Sequence, residues 1–372
     1  MDTAEPLFIP AGTEFSAADI THWAHRDRRT LDEAVRDADI LVTAPHAGAA
    51  IPAELGEFLA PEFTRRLQFD YTDCSTSPVV RRWAQIDPHI VVVENPHPRM
   101  VRDPNRERPA DLRASLAEAF RRVREAGAWE RVDLTGVDAV RPVTFSFFPL
   151  LRVPADDAEL DRLAAAFERV AEQGLGVYEA TRDRLIEAFV TAKLALGARE
   201  GRASFTHLAF HDTMNRTTTR DGAIDVEREP ADRLPQLVAL SNRGDSDGEP
   251  RGASPVTMDP GLIRMLADAH RRGFDVVDPG AVALNQPYLG SYEIIAAGRR
   301  FDELADEADE ANLTLSSMQA EFRREYLLGE ANTRTLMQPG TGWITPDAAH
   351  VDRVAHACKR SWAAYRRDAR AN

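Results

Sequence analysis

Two histidines stand where apolar runs of the sequence give way to polar residues, and each is suited to holding a metal ion. His46 lies in APHAG, at the end of the first such run, where Pro45 removes a backbone donor and Gly48 permits a tight bend. His211 lies in AFHDT, at the end of a second run. Open α/β sheets bind ligands at the rim where strands end, and imidazole is the commonest protein ligand for metals. We therefore expect the two imidazoles to face one cleft.

An acidic segment between the histidines offers a third ligand. The stretch LQFDYTDCSTSP contains Asp70 and Asp73, and by residue type either carboxylate could complete the set. Two histidines and one carboxylate leave coordination positions open for water and substrate, as hydrolytic zinc sites require. The same set matches the ligands of non-haem iron enzymes. The residue types therefore predict a metal enzyme, with zinc as the first candidate and iron or manganese left open.

Charge and composition narrow the class of protein. The chain has 372 residues, a formal net charge of -14 and a pI near 5.3. An acidic protein lacks the positive field that attracts nucleic acid or an anionic membrane surface, so we expect neither as a partner. Two cysteines are too few for a disulfide framework, and no apolar run reaches the about 18 residues of a membrane span. We expect a cytoplasmic protein.

Strand and helix patterns alternate along the chain. Short apolar runs predict buried strands at 40–44, 90–94, 205–210 and 237–240. Segments of helical periodicity separate them, the longest at about 156–196 with a break near EQGLG. This alternation is typical of an α/β layered domain with a covered sheet. No linker divides the sequence, so we expect one catalytic domain over residues 1–372, with a C-terminal capping helix at about 346–370.

Six short motifs, in order, resemble those of one enzyme family. APHAGAAIP is similar to the PHSG...IP opening of the N-formylglutamate amidohydrolase family, and DYTDCST resembles the acidic segment that follows it. RMVRDPNRERP is similar to RLVVDLNRP, and FHDTMNRT stands where the family has DAHSM. LNQPYLGSYEI resembles NxPFxGGYxT, and MQAEFRREYLLGE resembles LQLExxRxLYMDE. The resemblance covers a core of about residues 40–330.

The resemblance implies a fold and a ligand set. Members adopt a zinc-exopeptidase-like (phosphorylase/hydrolase-like) fold, a three-layer α/β domain with a mixed, largely parallel central sheet flanked by helices. By analogy the metal ligands would be His46, Asp73 and His211. Asp73 is preferred to Asp70 because the CST that follows it aligns better. Asp70 and Asp212 would then orient the ligands without touching the metal.

The same resemblance assigns the other site residues. Glu321, in MQAEF, would be the general base and acid, although from EFRREY alone a solvated glutamate on a charged helix is the simpler interpretation. Substrate recognition falls to arginine, because a planar guanidinium holds a carboxylate with two parallel hydrogen bonds, and Arg106 is the first candidate. The remaining residues that would bind substrate are Asn105, Arg99, Asn285, Tyr288 and Gly290.

The sequence departs from the family pattern at three places. Asp212 replaces a small serine after the second histidine and adds a charge that would repel an anionic substrate side chain. The GGY turn has become GSY, followed by Glu293. An insert at about 110–148 ends in TFSFFPLLRVP, whose phenylalanines we expect to fill core rather than wall the pocket. These departures leave the metal chemistry in place but argue against formylglutamate itself as the substrate.

We therefore expect a zinc-dependent amidohydrolase that cleaves the amide of a small N-acyl, N-formyl-like amino acid or a related carboxylate-bearing amide. One alternative is a two-histidine, one-carboxylate iron enzyme that performs oxidative chemistry on the same scaffold. Another is a non-catalytic descendant that binds a small ligand. Hydrolysis is favoured because iron chemistry does not explain Glu321 as economically. Retention of both histidines, Asp73 and Glu321 counts against loss of catalysis.

Overall fold

Strands and helices alternate through residues 5–371, which are the residues that this computed structural model describes. The strands are β1 (Phe8–Ile9), β2 (Thr21–Trp23), β3 (Ile40–Ala44), β4 (Ile51–Pro52), β5 (Ile90–Glu94), β6 (Ala203–Thr213), β7 (Arg216–Thr218), β8 (Ile224–Glu227), β9 (Val238–Ser241), β10 (Val282–Leu284) and β11 (Leu313–Arg323). The helices are α1 (Ala17–Ile20), α2 (Leu31–Asp37), α3 (Arg65–Asp70), α4 (Thr76–Ile86), α5 (Leu112–Ala126), α6 (Asp157–Gln173), α7 (Leu175–Glu200), α8 (Pro260–Gly273), α9 (Tyr292–Glu303), α10 (Ala305–Glu310), α11 (Arg324–Leu328), α12 (Glu330–Leu336) and α13 (Ala348–Ala371). Short 3₁₀ turns lie at Ala53–Phe58, Pro230–Asp232 and Pro279–Ala281.

A mixed sheet of seven strands forms the middle layer, in the order β10-β9-β11-β6-β3-β5-β2. Neighbouring strands run parallel except where β9 meets β11 and where β2 meets β5. Helices pack on both faces, so the chain has the three-layer α/β architecture that its sequence predicted. The four predicted strands correspond to β3, β5, β9 and the middle of the longer β6.

Alternate residues of the central strands enter two separate cores. On β3, Leu41 packs into one apolar cluster, whereas Ile40 and Val42 pack into another. Helices α6 and α7 supply the first cluster with Phe167 and Phe189. Helices α4, α8 and α13 supply the second. Because successive side chains of a strand point to opposite faces, the unbroken apolar runs in the sequence reflect a sheet covered on both sides.

The break predicted in the long helical region falls at Gly174, between α6 and α7. A Cβ atom at this position would lie 2.6 Å from Nε2 of the buried His97. Only glycine lets the chain pass that close to the imidazole, so the helix pair bends here. The two helices then pack against each other over the first core.

The last helix, α13, covers the second core. It spans Ala348–Ala371, close to the capping helix predicted at about 346–370. Its Trp362 stacks on Trp83 of α4 with ring centroids 6.5 Å apart. Within residues 5–371, no helix combines the length and the apolarity needed to cross a membrane.

The carboxyl ends of three parallel strands meet at one edge of the sheet. β6 and β11 pair in parallel along their whole length, from Ala203 beside Leu313 to Thr213 beside Arg323. β3 runs parallel to β6 on its other side. The last residues of these strands and the loops near them therefore lie close together, and they carry the residues described next.

Candidate metal centre

His46 is held at this edge by the turn that follows β3. Asn95, just after β5, donates its side-chain amide to the carbonyl oxygen of Pro45 at 2.9 Å. A Cβ atom at Gly48 would lie 2.4 Å from the carbonyl carbon and oxygen of Pro96. The bend therefore requires glycine, because two backbone segments approach each other there. These contacts fix the direction in which the His46 side chain leaves the strand.

The structure brings His46, Asp73 and His211 together in a buried cluster. Oδ2 of Asp73 lies 2.8 Å from Nδ1 of His211 and 3.4 Å from Nδ1 of His46. One ligand atom from each residue lies within 4.8 Å of the other two. Nδ1 of His46 is buried and has no hydrogen-bond partner within residues 5–371, which is uncommon for a buried nitrogen. A divalent cation among these atoms would satisfy it, so the donor set fits a metal.

Asp73 is the carboxylate that reaches both imidazoles. Its backbone N–H donates to the carbonyl oxygen of His46 at 3.1 Å, which joins the two loops. Burial raises the pKa of Asp73, but His46 and the hydrogen bond with His211 outweigh burial and hold this pKa far below its usual range. The side chain is therefore ionised, as a metal-binding carboxylate must be.

Asp70 lies at the cavity but has other partners. Its carboxylate accepts a hydrogen bond from Thr218 and lies 3.8 Å from Nη1 of Arg324. Among the described residues it makes no hydrogen bond to an imidazole of the cluster. Asp70 is turned toward the β7 strand, whereas the carboxylate of Asp103 contacts an imidazole of the cluster.

Asp103 is a site residue that the sequence analysis missed. Its Oδ1 lies 2.8 Å from Nε2 of His46, and its Oδ2 accepts hydrogen bonds from Nη2 and Nε of Arg99 at 2.6 and 3.2 Å. A carboxylate on the outer nitrogen of a metal-binding histidine fixes its tautomer and ring orientation. Asn105 lies 3.2 Å from Nε2 of His211 through its side-chain amide. The motif RMVRDPNRERP held the signal, since its aspartate stands where the family has one in RLVVDLNRP.

Asp212 supports the cluster from outside the cavity. Its backbone N–H lies 3.4 Å from Oδ2 of Asp73, and its carboxylate accepts from the backbone N–H of Ser75 at 3.0 Å and from Nε of Arg324. Burial raises the pKa of Asp212 to about 7, against the opposing effect of Arg324. The charge that was expected to repel an anionic substrate side chain is thus buried and compensated by an arginine.

Glu321 faces the centre from strand β11, not from a charged helix, since α11 begins only at Arg324. It is the register partner of His211 on the neighbouring parallel strand. Oε1 accepts a hydrogen bond from Oγ1 of Thr213 at 2.7 Å, and Oε2 accepts from Nε2 of Gln319 at 2.9 Å. Burial raises the pKa of Glu321, and the charge of Asp73 adds to this effect while His211 opposes it.

Gln319 is a second residue that the sequence analysis missed. The backbone N–H and the hydroxyl of Ser291 donate to Oε1 of Gln319 at 3.0 and 2.6 Å. These bonds turn its Nε2 group toward Glu321. The signal was present in MQAEF, because residues two apart on a strand lie on the same face.

A cavity of about 420 Å³ adjoins the cluster, and its lining includes the three candidate ligands and Glu321. Phe145 and Phe148, from the insert, also line it, and Phe145 is 44% exposed. Phe147 instead packs in a small apolar cluster. Phe148 also packs against the main apolar core. The expectation that these phenylalanines fill core is thus wrong for Phe145, whereas Phe147 and Phe148 both pack on apolar clusters.

The arginines predicted to bind substrate line the cavity with carboxylates already beside them. Nε of Arg106 donates to Oδ2 of Asp138 at 2.6 Å. Arg99 is bonded to Asp103 as described, and its guanidinium carbon lies 4.9 Å from the centre of the Phe145 ring. Both positive charges are therefore compensated within the protein.

Tyr288 lines the cavity, whereas two neighbours in the same motif shape the loop that carries it. The side-chain amide of Asn285 donates to Oδ1 of Asn242 at 2.9 Å. Gly290 has a φ of +100°, and a Cβ atom there would lie 2.1 Å from Cδ1 of Ile294. Neither Asn285 nor Gly290 is among the residues that line this cavity, and the substrate contacts predicted for them stay predictions.

The family of the chain follows from residues 38–328, which match the family model of N-formylglutamate amidohydrolase. The match confirms the resemblance seen over about residues 40–330. Among solved structures, the chain is similar to N-formylglutamate amidohydrolase from Ralstonia eutropha JMP134, with 21% sequence identity and a TM-score of 0.48. The alignment covers 88% of the present chain and 94% of the Ralstonia chain. No curated protein matches the chain. This chain belongs to the N-formylglutamate amidohydrolase family and is an amidohydrolase, an enzyme that acts on C–N bonds.

Proposed function

We propose that this enzyme uses a divalent metal, with zinc as the first candidate, to hydrolyse the amide bond of a small N-acyl amino acid. One observation carries the metal dependence. A buried nitrogen of His46 has no hydrogen-bond partner in the described chain and lies beside Asp73 and His211. Family membership supports the reaction class, and this cluster supports the metal.

The residues that would hold the cation are His46, Asp73 and His211. Zinc bound there would polarise the substrate carbonyl and lower the pKa of water toward about 7. Asp103 would keep the proton of His46 on Nε2, which leaves Nδ1 free to bind the metal.

Glu321 carries the proton in the proposed reaction. Its carboxylate takes a proton from water as the oxygen attacks the carbonyl carbon, and it returns that proton to the amide nitrogen as the C–N bond breaks. The products are the carboxylate of the acyl group and the free amino acid. The raised pKa of Glu321 suits both steps, because the carboxyl group then takes up and releases a proton closer to neutral pH. Thr213 and Gln319 hold one oxygen each and fix its orientation.

Hydrolysis is better supported than oxidative chemistry with iron. The same three side chains would suit either metal. A buried carboxyl group with a raised pKa on the strand beside His211 is the part that a hydrolase needs. We extend the proposal to a cytoplasmic location, which fits the free thiols of Cys74 and Cys358.

A substrate panel tests this function. The full chain is purified, loaded in turn with zinc, manganese and iron(II), and incubated with N-formyl, N-acetyl and N-carbamoyl amino acids. We expect release of the free amino acid with at least one metal, no release after chelation, and no requirement for oxygen. Turnover that persists in the chelated enzyme, or that consumes oxygen, would contradict the proposal.

A further inference from the structure

Five arginines line the cavity, and four of them are paired with carboxylates of the protein. The four pairs are Arg99 with Asp103, Arg106 with Asp138, Arg216 with Asp225, and Arg324 with Asp212. The fifth, Arg228, makes no ion pair with an aspartate or glutamate anywhere in the described chain, residues 5–371. Its positive charge therefore faces the cavity without a counter-ion from the protein.

Hydrogen bonds hold the backbone of Arg228 in place, but its guanidinium makes a single hydrogen bond among the described residues. The backbone N–H donates to the carbonyl oxygen of Asn215 at 3.0 Å, and the carbonyl oxygen accepts from Nε of Arg233 at 2.6 Å. Nη1 donates to the phenol oxygen of Tyr288 at 3.2 Å. Nε is buried and has no partner within residues 5–371. Because buried donors are normally paired, this group has unmet capacity for an anion, and its planar fork matches a carboxylate.

Arg228 lines the same cavity as Tyr288 and Glu321, and its Nη1 donates to the phenol oxygen of Tyr288. Burial and the charge of Glu321 raise the pKa of Tyr288, so the phenol stays protonated. A carboxylate on Arg228 and a scissile amide beside Glu321 would thus belong to one small molecule.

The remaining wall of the cavity favours an uncharged group. It includes the apolar or aromatic side chains of Leu67, Tyr71, Phe145, Phe148 and Met214. Two guanidinium carbons lie over the Phe145 ring of this wall, that of Arg141 at 4.6 Å and that of Arg99 at 4.9 Å from the ring centre. Arg99 is bonded to Asp103, and Arg141 donates to the carbonyl oxygens of Val143 and Thr144. A second substrate carboxylate would meet apolar surface and guanidinium groups that already have partners, and burying it would cost free energy.

We propose that Arg228 binds the carboxylate of a substrate with a single negative charge, an N-acyl amino acid whose side chain is uncharged. This inference rests on the proposed amidohydrolase function and names the substrate class of the same site. It gives Arg228 the role that the sequence suggested for Arg106, because the guanidinium of Arg106 is engaged with Asp138.

Calorimetric binding tests the inference without requiring turnover. The ligands are N-acetyl-L-leucine, its amide and N-acetyl-L-glutamate, and the proteins are wild type, Arg228→Gln, Arg228→Lys, Arg106→Gln and Arg220→Gln. Arg220 is the matched control. It lies exposed in the turn between β7 and β8, the hairpin that Arg228 directly follows, and it stacks on Trp129. We expect wild type to bind acetyl-leucine about tenfold tighter than either other ligand, and Arg228→Gln to abolish the preference over the amide, which lacks the carboxylate. Arg228→Lys should restore part of it, and Arg220→Gln should behave as wild type.

Steady-state kinetics on the corresponding formyl compounds separates the two proposals. Arg228→Gln should raise KM for formyl-leucine about tenfold or more and change kcat by less than about threefold, since uniform binding is lost. The inference is overturned if wild type does not prefer acetyl-leucine, if Arg228→Gln binds it normally, or if Arg106→Gln alone loses it. If binding follows the expected pattern while no formyl compound is cleaved, the proposed reaction fails and the carboxylate site stands.

Discussion

Glu321 and His211 are register partners on the parallel strands β11 and β6. Residues opposite each other on neighbouring parallel strands have side chains on the same face of the sheet. Backbone pairing therefore places Glu321, the candidate base, beside His211, a candidate metal ligand. Two further bonds refine the position of Glu321, one from Thr213 on β6 and one from Gln319 on β11. The site is therefore built on rigid strands and not on loops alone.

Replacing Glu321 with glutamine should remove proton transfer and keep the metal. Glutamine has nearly the same shape and cannot accept a proton from water, so kcat should fall by about 10²- to 10⁴-fold while metal content stays unchanged. Rates on an N-formyl amino acid and metal analysis of the same samples measure both effects. Glu330→Gln, at an exposed glutamate of α12, is the control. A variant at 321 with normal kcat would remove the residue from the mechanism.

Removing either imidazole should empty the centre. His46→Ala and His211→Ala each delete one of three ligands, so bound zinc should drop below about a tenth of an equivalent after dialysis. His356→Ala, at an exposed histidine on α13, should bind metal as wild type does. Full metal content in both ligand variants would show that the cation lies elsewhere.

Asp103 and Asp70 should differ in their effect on metal affinity. Asp103→Asn removes the charge that orients His46, and loss of such a partner weakens metal binding by about 10- to 100-fold. Asp70→Asn should change affinity by less than about threefold, because Asp70 bonds to Thr218 and not to a ligand. Competition with a fluorescent chelator gives both constants. Equal losses, or a larger loss at position 70, would reverse the assignment.

The acid side of the pH–rate profile should report Glu321. Its pKa is raised by burial, and only the ionised carboxylate accepts a proton, so kcat/KM should fall as the pH drops through a value above the ordinary glutamate pKa. Thr213→Val removes a hydrogen bond that favours the ionised form and should move this limb upward by about one pH unit. A limb that stays in place in Thr213→Val would mean that another group titrates.

The ligand set could be anticipated because its signals are local in sequence. His46 follows an apolar run and lies inside the Pro-His-Ala-Gly bend, and the structure has the predicted strand and turn at these residues. His211 was expected at a strand end, but β6 continues to Thr213 because β11 pairs with it that far. Pairing between strands about a hundred residues apart cannot be read from one short run.

Other parts of the site depend on contacts between distant segments. Glu321 looked like a helix residue because EFRREY is charged, whereas β11 is a buried strand that ends two residues later. Arg106 and Arg228 are both arginines in polar stretches, and only the position of Asp138 distinguishes the paired one from the unpaired one. The residue types could be predicted from the sequence, whereas only the tertiary structure shows which of these arginines has no carboxylate partner within residues 5–371.

Anomalous diffraction from crystals of the zinc-loaded enzyme tests the central claim most directly. We expect one peak bonded to Nδ1 of His46, to a carboxylate oxygen of Asp73 and to a ring nitrogen of His211, each at about 2.0–2.2 Å. A peak at another place, or a cation that leaves any of these three side chains unbound, would contradict the account.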